Sequence, residues 1–459
     1  MSRTALTLLA AAALAACASP APPPLTKPTV PGTFAQAANT EAQPVAEFWR
    51  AFGDAELDAL ITQAMAANRD LRVAAARVAE AQAIEGGTRG LGRPTLDVNA
   101  GASRSKFSDN SGQPGTRNQF TAGLAAAWEI DLLGRVANEQ RSARATTEAA
   151  QAQRRGVQVT VAAEVARNYF ELRGLQEQLR VTRLDLGTQR DAFKLVEARL
   201  SVGRGTALDT ERARVLVEGT ASSLPLLEAS LARTRMRLAV LTGAAPSSLD
   251  ARLAEQKALP GLPATPLSAI GSPQTLLQRR PDVAAAEQQL RAAEAQTGIA
   301  RSRLWPSLTL SGSLGLNAGR IGDLGDKGSF VASLGANVLW ALIDNGQRRA
   351  QVSAADARRD AALAQFDQAV LVALEETEGA LVNYTRSQQR TENLFAAAKA
   401  AEGAAKIARA RLDAGSIDFL VVLDAERELL SARDRLAQGQ TQAATALVGV
   451  YRALAGGWN

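Results

Sequence analysis

The sequence predicts a mainly α-helical protein with a β-barrel portion, built from two similar halves. Two proline-free stretches of roughly 65 residues, Arg135–Leu200 and Gln347–Arg411, have helical apolar spacing. Before each stretch, two segments show strict two-residue alternation of apolar and polar residues. The halves align at a constant offset of 212 residues, as in Asp70 and Asp282 (282 − 70). A repeat of this kind indicates internal duplication.

The second part of the first long stretch has the spacing of a coiled coil. Its apolar residues recur at intervals of three and four, and Thr182 and Gln189 occupy the remaining positions. They are Leu172, Leu175, Leu179, Leu186, Phe193, Val196 and Leu200. At about 1.5 Å of rise per residue, such a helix would be about 100 Å long. We therefore predict that each long helix packs along a shorter helix that returns after a glycine turn.

The alternating segments have the length and pattern of transmembrane barrel strands. Aromatic residues occur near their ends: Phe107, Phe120, Trp128, Trp305, Phe330 and Trp340. Four strands cannot close a barrel, because two edges would expose unpaired amides to lipid. A barrel would have to be shared between chains, with eight strands from two copies or twelve strands and room for a channel from three. The alternative is a four-stranded sheet covered by helices on its apolar side.

The N-terminus has the features of a secretory signal. Arg3 precedes an apolar run that ends at Ala16 and is too short to span a membrane. The following motif, Leu14-Ala15-Ala16-Cys17, resembles the lipobox of bacterial lipoproteins, in which the cysteine sulfur accepts a lipid. The residue after the cysteine is alanine. An aspartate there would, in many bacteria, retain a lipoprotein at the inner membrane, so the resemblance implies sorting to the outer membrane. The alternative is an ordinary signal peptide with a chance cysteine.

These patterns predict the boundaries of the chain's segments. They are a signal peptide over 1–16, a lipidated proline-rich tether over 17–47, a first repeat over 48–243, an equatorial connector over 244–273 and a second repeat over 274–459. The first repeat has a helix over Phe48–Ala67, a helix from Arg69 to about Glu85, strands over about 94–107 and 119–131, a long helix over 135–201 and a return helix over 206–243. The second repeat has strands over about 305–317 and 329–342, a long helix over 347–413 and a return helix over 418–456.

Composition excludes several classes of function. The chain has no histidine and one cysteine, which excludes histidine-based catalysis, His/Cys metal sites and internal disulfides. No carboxylate pairing indicates a catalytic cleft, and no GxxxxGK[ST] phosphate loop occurs. We expect no enzyme activity, no metal and no cofactor other than the lipid at Cys17. The net charge is +6, but the arginines are scattered among acids, so we expect no nucleic-acid binding.

Four motifs identify a family resemblance. They are Leu276–Val283 (LLQRRPDV), Leu304–Leu308 (LWPSL), Trp128–Arg135 (WEIDLLGR) and Asp418–Ala425 (DFLVVLDA). Together they resemble TolC-like outer-membrane efflux lipoproteins, from about Phe48 to the C-terminus. One departure is Arg69, where the family often has proline.

This resemblance implies a homotrimer with one twelve-stranded outer-membrane barrel and a periplasmic α-barrel. It also implies two protein partners, a periplasmic adaptor (membrane fusion) protein and an inner-membrane transporter of the resistance–nodulation–division type. The protein would be lipid-anchored in the cell outer membrane and would extend into the periplasm.

The resemblance further implies a constriction after the second hairpin turn. In the family a leucine and an aspartate four residues apart line it, and the matching positions are Leu420 and Asp424. We expect Asp424 from three chains to form an acidic ring that favours cations, beside an apolar ring of Leu420. The alternative for Asp424 is a solvated acid on a helix face. Arg212, at the 212 offset from Asp424, is a candidate for a pairing that holds the tip shut.

The two hairpin turns are candidate contacts for the adaptor. Their residues of interest are Gly203 and Gly205 in the first turn, and Gly415 and Ser416 in the second. A simple helix-capping role is the alternative for the glycines, and both roles can hold together.

The predicted function is a passive exit duct of a tripartite efflux system, gated at its periplasmic tip. It would conduct drugs or other small compounds from an inner-membrane pump and adaptor to the exterior. A structural or adhesive coiled-coil lipoprotein is the competing prediction, and the alternating strands with terminal aromatic residues argue against it. The sequence does not identify the exported compound, because a passive duct conducts what its pump selects.

Overall fold

A computed structural model describes Phe34 and residues 47–110, 114–260 and 272–454. Cys17, the predicted signal peptide and nearly all of the predicted tether lie outside these described residues. The described part consists of helices and one four-stranded antiparallel sheet. The predicted mainly helical fold with a β portion is therefore confirmed.

The elements of the two halves follow one another in the same order. The first half contains α1 (Ala55–Ala67), α2 (Arg69–Gly90), β1 (Thr95–Phe107), β2 (Gly115–Ile130), α3 (Arg135–Ser201) and α4 (Ala207–Leu241). The second half contains α5 (Pro273–Arg279), α6 (Pro281–Ser302), β3 (Ser307–Ala318), β4 (Phe330–Leu339), α7 (Gln347–Asp413) and α8 (Phe419–Ala453). Short 3-10 helices occur at Phe48–Phe52, Ile321–Asp323 and Lys327–Ser329. In the described part of the chain, every helix lacks an apolar stretch sufficient to cross a membrane.

Two short helices differ from the sequence prediction. The predicted helix over Phe48–Ala67 is interrupted at Gly53, whose φ of +63° ends the 3-10 helix. Asp54 then caps α1, because its carboxylate accepts the backbone N–H groups of Glu56 and Leu57 at 2.9 and 3.2 Å. An aspartate at this position satisfies amides that have no partner within the helix.

The second difference is the length of α2. We expected its glycines to end the helix near Glu85, but α2 continues through Gly86 and Gly87 to Gly90. Arg89 forms an ion pair with Glu85 at 2.8 Å across this last turn. Each glycine costs about 1 kcal/mol relative to alanine in a helix, which weakens a helix without ending it.

The described residues divide into two compact units, each assembled from segments that are distant in sequence. One unit contains residues 77–151 and 285–368 and therefore holds the whole sheet. The other contains α1, α4, α5 and α8 together with residues 152–201 of α3 and 369–413 of α7.

The sheet has the strand order β1-β2-β3-β4, with neighbouring strands antiparallel. Its register pairs apolar residues with apolar residues on one face, such as Val98 with Leu124 and Leu124 with Leu314. None of the described helices covers these side chains, since Val98 is 82% exposed and Leu334 on β4 is 90% exposed. The predicted alternative, a sheet covered by helices on its apolar side, is therefore wrong.

The duplication extends to individual side-chain hydrogen bonds next to the sheet. The indole Nε1 of Trp128 donates to the carbonyl of Gly92 at 3.1 Å. In the second half, Nε1 of Trp340 donates to the carbonyl of Leu304, also at 3.1 Å. Donors and acceptors both differ by 212 positions (340 − 128 and 304 − 92). Each tryptophan thus fixes the segment before the first strand of its half.

Most of the predicted coiled-coil seam of α3 is buried, and two of its members, Leu175 and Phe193, are half-buried. Leu172, Leu179, Leu186 and Val196 are each at most 5% exposed, and the polar seam positions Thr182 and Gln189 are also buried. Leu200, at the end of the seam, is 37% exposed, because the helix ends one residue later. The three-and-four spacing therefore identifies the packed face of this helix.

A second duplicated contact joins each return helix to the start of a short helix. Asn68 donates from Nδ2 to the carbonyl of Leu241, the last residue of α4, at 2.8 Å. At the equivalent position, Arg280 donates from Nη1 to the carbonyl of Ala453, the last residue of α8, at 3.0 Å. The backbone of the two donors is alike, with φ and ψ of −60° and 136° at Asn68 and −64° and 120° at Arg280. Two different side chains thus donate to equivalent helix-end carbonyls in the two halves.

Arg280 has additional charged partners that Asn68 does not need. Its guanidinium forms two hydrogen bonds with Asp282, at 3.0 and 2.7 Å, and one with Glu376 of α7 at 2.6 Å. The arginine side chain is only 7% exposed, whereas both carboxylates are partly exposed. Burial alone would disfavour ionisation of Asp282, but the hydrogen bonds and charge of Arg280 outweigh it and lower the pKa of that carboxyl.

This lowered pKa makes stability depend on pH. A carboxyl with a lower pKa in the folded state stabilises the fold above its ordinary pKa of 3.8, and the contribution disappears as pH falls through the folded value. We therefore expect Asp282→Asn to have a lower melting temperature than the wild type at pH 6, with a difference that shrinks below about pH 4. Thermal unfolding in detergent at pH 6 to 3 measures this difference in melting temperature.

The control for this prediction is Asp191→Asn, which removes one carboxylate from an exposed ion pair with Lys194 on α3. A difference between Asp282→Asn and wild type that stayed constant down to pH 3 would contradict the proposed role of Arg280.

Candidate functional site

The first hairpin tip is a tightly hydrogen-bonded turn between α3 and α4. Gly203 has a φ of +73°, and its N–H donates to the carbonyl of Leu200 at 3.0 Å. A Cβ at Gly205 would lie 3.2 Å from the backbone nitrogen of Leu200, so the chain passes close to the helix end there. Thr206 then caps α4 and exchanges hydrogen bonds with Asp209 in a capping box.

The second tip, between α7 and α8, has the same geometry. Gly415 has a φ of +68°, and its N–H donates to the carbonyl of Leu412 at 2.9 Å. The backbone N–H and the hydroxyl of Ser416 both donate to the carbonyl of Arg411, at 2.9 and 3.0 Å. Both tips therefore satisfy helix-end carbonyls through a left-handed glycine, as expected for helix caps.

The caps leave open surface at the centre of each turn. A Cβ added to Gly203 or Gly415 would have no atom within 4 Å. The tips are thus exposed to any partner, while contact with an adaptor stays a prediction.

The first turns of α8 separate a buried face from an open face. Phe419, Val422 and Leu423 are buried in an apolar cluster that also includes Val196 of α3. Helical geometry places residues four apart on one face, so Leu420 and Asp424 both fall on the other side. Leu420 is 38% exposed and the side chain of Asp424 is 65% exposed. The two residues predicted for the constriction therefore lie together on an accessible helix face.

This open face borders a groove of about 1080 Å³ between α4 and α8. Leu420, Asp424 and Arg212 all line it, together with apolar residues of α4 such as Val215 and Leu216. The structure thus brings all three predicted residues to one groove. It pairs Asp424 with Arg427, however, at 3.8 Å between Oδ1 and Nη2.

Arg427 is not among the residues predicted from the sequence for this site. Its position three residues after Asp424 places it on the same helix face, and an acid and a base at this spacing form a favourable pair. The spacing alone could therefore have identified it. The side chain of Arg427 is 74% exposed, which leaves the pair in contact with solvent in the single chain.

Ion pairs further along α8 attach this helix to its neighbours. Arg433 donates to Asp185 of α3 at 3.1 Å and to Glu402 of α7 at 3.3 Å. Arg409 of α7 pairs with Glu426 through both carboxylate oxygens. Burial raises the pKa of Asp185, although the charge of Arg433 opposes the shift.

Among the residues that the structure describes, no three His, Cys, Asp or Glu side chains are grouped as metal ligands. The lipidation site predicted at Cys17 falls outside the described residues.

Comparison with known proteins shows a match to one family in both halves. The model of the family described as outer membrane efflux protein matches residues 60–244 and 272–456. The chain belongs to the outer membrane efflux protein family. Its predicted efflux role and outer-membrane location are thereby confirmed.

Relatives of this outer membrane efflux protein align over nearly the whole chain. The pyoverdine export outer membrane protein OpmQ of Pseudomonas aeruginosa is 33% identical and covers 100% of this chain and 98% of its own. The probable outer membrane lipoprotein SilC of Salmonella typhimurium is 28% identical over 97% of this chain and 96% of its own.

Solved structures of channels also match this efflux protein closely. The outer-membrane channel OprN superposes with a TM-score of 0.90 at 36% identity, over 95% of this chain and 99% of its own. The outer membrane protein VceC of Vibrio cholerae superposes with a TM-score of 0.84 at 26% identity, over 91% of this chain and 100% of its own. The predicted combination of helical hairpins and membrane strands is thus the fold of outer-membrane channels.

Proposed function

We propose that this protein is the passive exit duct of a tripartite efflux system, in which three copies share one twelve-stranded barrel. The observation that supports the trimer is the open sheet. β1 and β4 each have one hydrogen-bonded neighbour among the described strands, so each leaves one edge unpaired in the single chain. Each unpaired backbone group in lipid costs several kcal/mol, which favours pairing of β4 with β1 of the next copy. Three copies provide enough strands to surround a channel.

The partners in this proposal are a periplasmic adaptor and an inner-membrane transporter of the resistance–nodulation–division type. The adaptor would contact the hairpin tips at Gly203, Gly205, Gly415 and Ser416. The open space around Gly203 and Gly415 supports this contact. Relatives are named for export of different compounds, including pyoverdine, solvents and toluene. That variety supports a duct that conducts small compounds selected by its pump.

Conduction of this kind needs neither catalysis nor a cofactor. The lipid on Cys17 would be the chain's one covalent addition and would anchor it to the outer membrane. Several acyl chains hold firmly, because each buried methylene contributes about 0.8 kcal/mol.

The constriction in this proposal is formed by Leu420 and Asp424 of three copies. Their shared open face on α8, above a buried face that holds the helix in place, supports the assignment. A ring of carboxylates attracts cations, and an apolar ring beside it narrows the path. Arg427 partly balances each carboxylate, and Arg212 on the opposite side of the groove is available to a displaced Asp424.

Conductance of single channels in planar bilayers tests this function. We expect wild-type channels to conduct weakly and to prefer cations. In the double variant Leu420→Ala/Asp424→Asn, the smaller side chain at position 420 should raise conductance. The loss of charge at position 424 should lower the cation preference about fivefold, since a unit charge at 4 Å contributes about 1 kcal/mol in water.

Asp418→Asn is the matched control, because it removes the same charge two residues before Leu420 but outside the groove. It should leave conductance and ion preference unchanged. The duct assignment would be wrong if particles with the mass of three chains showed no conductance. Unchanged conductance and ion preference in the double variant would refute the constriction alone.

A further inference from the structure

The exposed apolar face of the sheet becomes cationic at its loop end. Successive residues of a strand point to opposite faces, so every second residue shares a face. On β1 this face is formed in order by Leu96, Val98, Ala100, Ala102, Arg104 and Lys106. The apolar stripe is therefore followed directly by two basic residues, at the end of the strand farthest from the helices in sequence.

A third basic residue lies at the same level two strands away. Ala102 pairs with Phe120 and Phe120 pairs with Ala318, so the next residues on this face are Arg104, Asn118 and Arg320. Arg320 follows the end of β3 but keeps an extended backbone, with φ of −129° and ψ of 144°.

The neighbouring residue supports this alignment. A Cβ on Gly319 would lie 3.9 Å from the carbonyl oxygen of Asn118, so β3 stays beside β2 beyond its last ladder pair. Strands are about 4.8 Å apart, so Ala102 and Ala318, which both pair with Phe120, lie about 10 Å from each other. Arg104 and Arg320 each follow two residues later.

These three cations have no carboxylate partner among the residues that the structure describes. Arg104, Lys106 and Arg320 are all exposed, and none forms an ion pair there. Acids do occur nearby, at Asp109 in the β1–β2 connection and at Asp323 and Asp326 in the β3–β4 connection, but none of them pairs with this row in the described part of the chain. The row therefore presents uncompensated positive charge directly beyond an apolar surface.

The opposite end of the same face has no such charge. Within the strands, its helix-proximal positions are the neutral residues Leu96, Ala126, Trp128, Ile130, Leu308 and Val338. The apolar face is thus neutral toward the periplasmic helices and cationic toward the outer loops. A bilayer with the same lipids in both leaflets would not require a difference in charge between the two ends of this face.

We propose that Arg104, Lys106 and Arg320 bind the phosphate groups of an anionic glycolipid in the outer leaflet of the outer membrane. An amphiphile of this kind matches the face in both respects, because its acyl chains would contact the apolar stripe while its phosphates meet the basic row. Guanidinium groups form paired hydrogen bonds with phosphate oxygens, and an ammonium adds a point charge. This inference goes beyond the proposed duct, whose conduction needs no particular lipid.

Binding of purified lipopolysaccharide to the delipidated full-length protein in detergent tests the proposal. We expect Arg104→Gln, Lys106→Gln and Arg320→Gln each to weaken binding about fivefold, and the triple variant roughly a hundredfold, as expected for independent cations near an anionic surface. Dephosphorylated lipopolysaccharide should bind the wild type as weakly as lipopolysaccharide binds the triple variant. Phosphatidylglycerol, an anionic lipid with one phosphate, should bind more weakly than lipopolysaccharide.

Arg117→Gln is the matched control. Arg117 pairs with Ser105, so it lies at a height between Arg104 and Lys106 but on the opposite face of the sheet. It should bind lipopolysaccharide like the wild type. The proposal would be overturned by wild-type binding in the triple variant, by an equal loss in Arg117→Gln, or by equal binding of the dephosphorylated lipid.

Two further measurements separate this site from folding and from the duct. The variant with Arg104→Lys and Arg320→Lys preserves charge and should retain most of the binding, and a full loss there would contradict a phosphate site based on charge. Conductance should be unchanged in the variants of Arg104, Lys106 and Arg320, which lie on the lipid-facing side of the sheet. Absent conductance in the wild type would contradict the proposed duct and leave the lipid-binding result independent.

Discussion

Replacing Gly243 by alanine is expected to destabilise the fold by about 2–5 kcal/mol. Gly243 follows the end of α4 with a φ of +74°, a conformation that alanine adopts at a cost. Its Cβ would also lie 2.3 Å from the carbonyl oxygen of Ala67, at the end of α1. Because the obstacle is backbone, it cannot move aside as a side chain would. Thermal unfolding in detergent should show a large decrease in melting temperature, and fewer assembled particles should be recovered.

Gly415→Ala separates the two causes of this loss. Gly415 has a similar φ of +68°, but a Cβ there has no atom within 4 Å. It should therefore lose only the conformational part, about 1 kcal/mol. If both variants lost the same stability, close approach of the backbones at Gly243 would not be the cause.

Arg280→Ala is expected to cost about 3 kcal/mol, the second largest effect among these substitutions. The change leaves the carbonyl of Ala453 without its donor and removes the cation that pairs with Asp282 and Glu376. The carboxylates are partly exposed and can regain water, so the loss comes mainly from the buried carbonyl and the missing side-chain packing. Chemical or thermal unfolding of the purified protein measures the change.

Two variants test this explanation of the Arg280 effect. Arg279→Ala, one residue earlier and less buried, should change stability by at most about 0.5 kcal/mol. Arg280→Asn should recover about 1 kcal/mol relative to Arg280→Ala, because Asn68 satisfies the equivalent carbonyl from a nearly identical backbone. Equal stability of the alanine and asparagine variants would contradict this.

The periodic spacing of apolar residues predicted much of the fold, because burial of one face of a helix or strand requires apolar residues at a regular interval. The spacing of three and four along α3 identifies buried residues such as Leu179 and Leu186, since a packed helix face repeats at that interval. Alternation identified the strands for the same reason. The extension of α2 through Gly86 and Gly87 was not predictable in this way, because glycine weakens a helix without encoding where it ends.

The candidate site was predictable only where local spacing contains the information. Leu420 and Asp424 share a face at an interval of four, and Arg427 follows Asp424 at an interval of three, which is typical of charge pairs on a helix. Contacts between distant segments were not accessible. The hydrogen bond from Arg433 to Asp185, 248 residues away, depends on which helices become neighbours.

The two equivalent junctions at Asn68 and Arg280 also respond differently to acid. The amide of Asn68 keeps its hydrogen bond at any pH, whereas the cluster around Arg280 depends on the ionised carboxyl of Asp282. Protonation of Asp282 in strong acid therefore removes its ion pair with Arg280, whereas no titratable group takes part in the bond between Asn68 and Leu241. The two halves of a symmetric scaffold thus differ in chemistry at this junction, because one has a pH-dependent ion pair beside its helix-end bond and the other has a neutral amide.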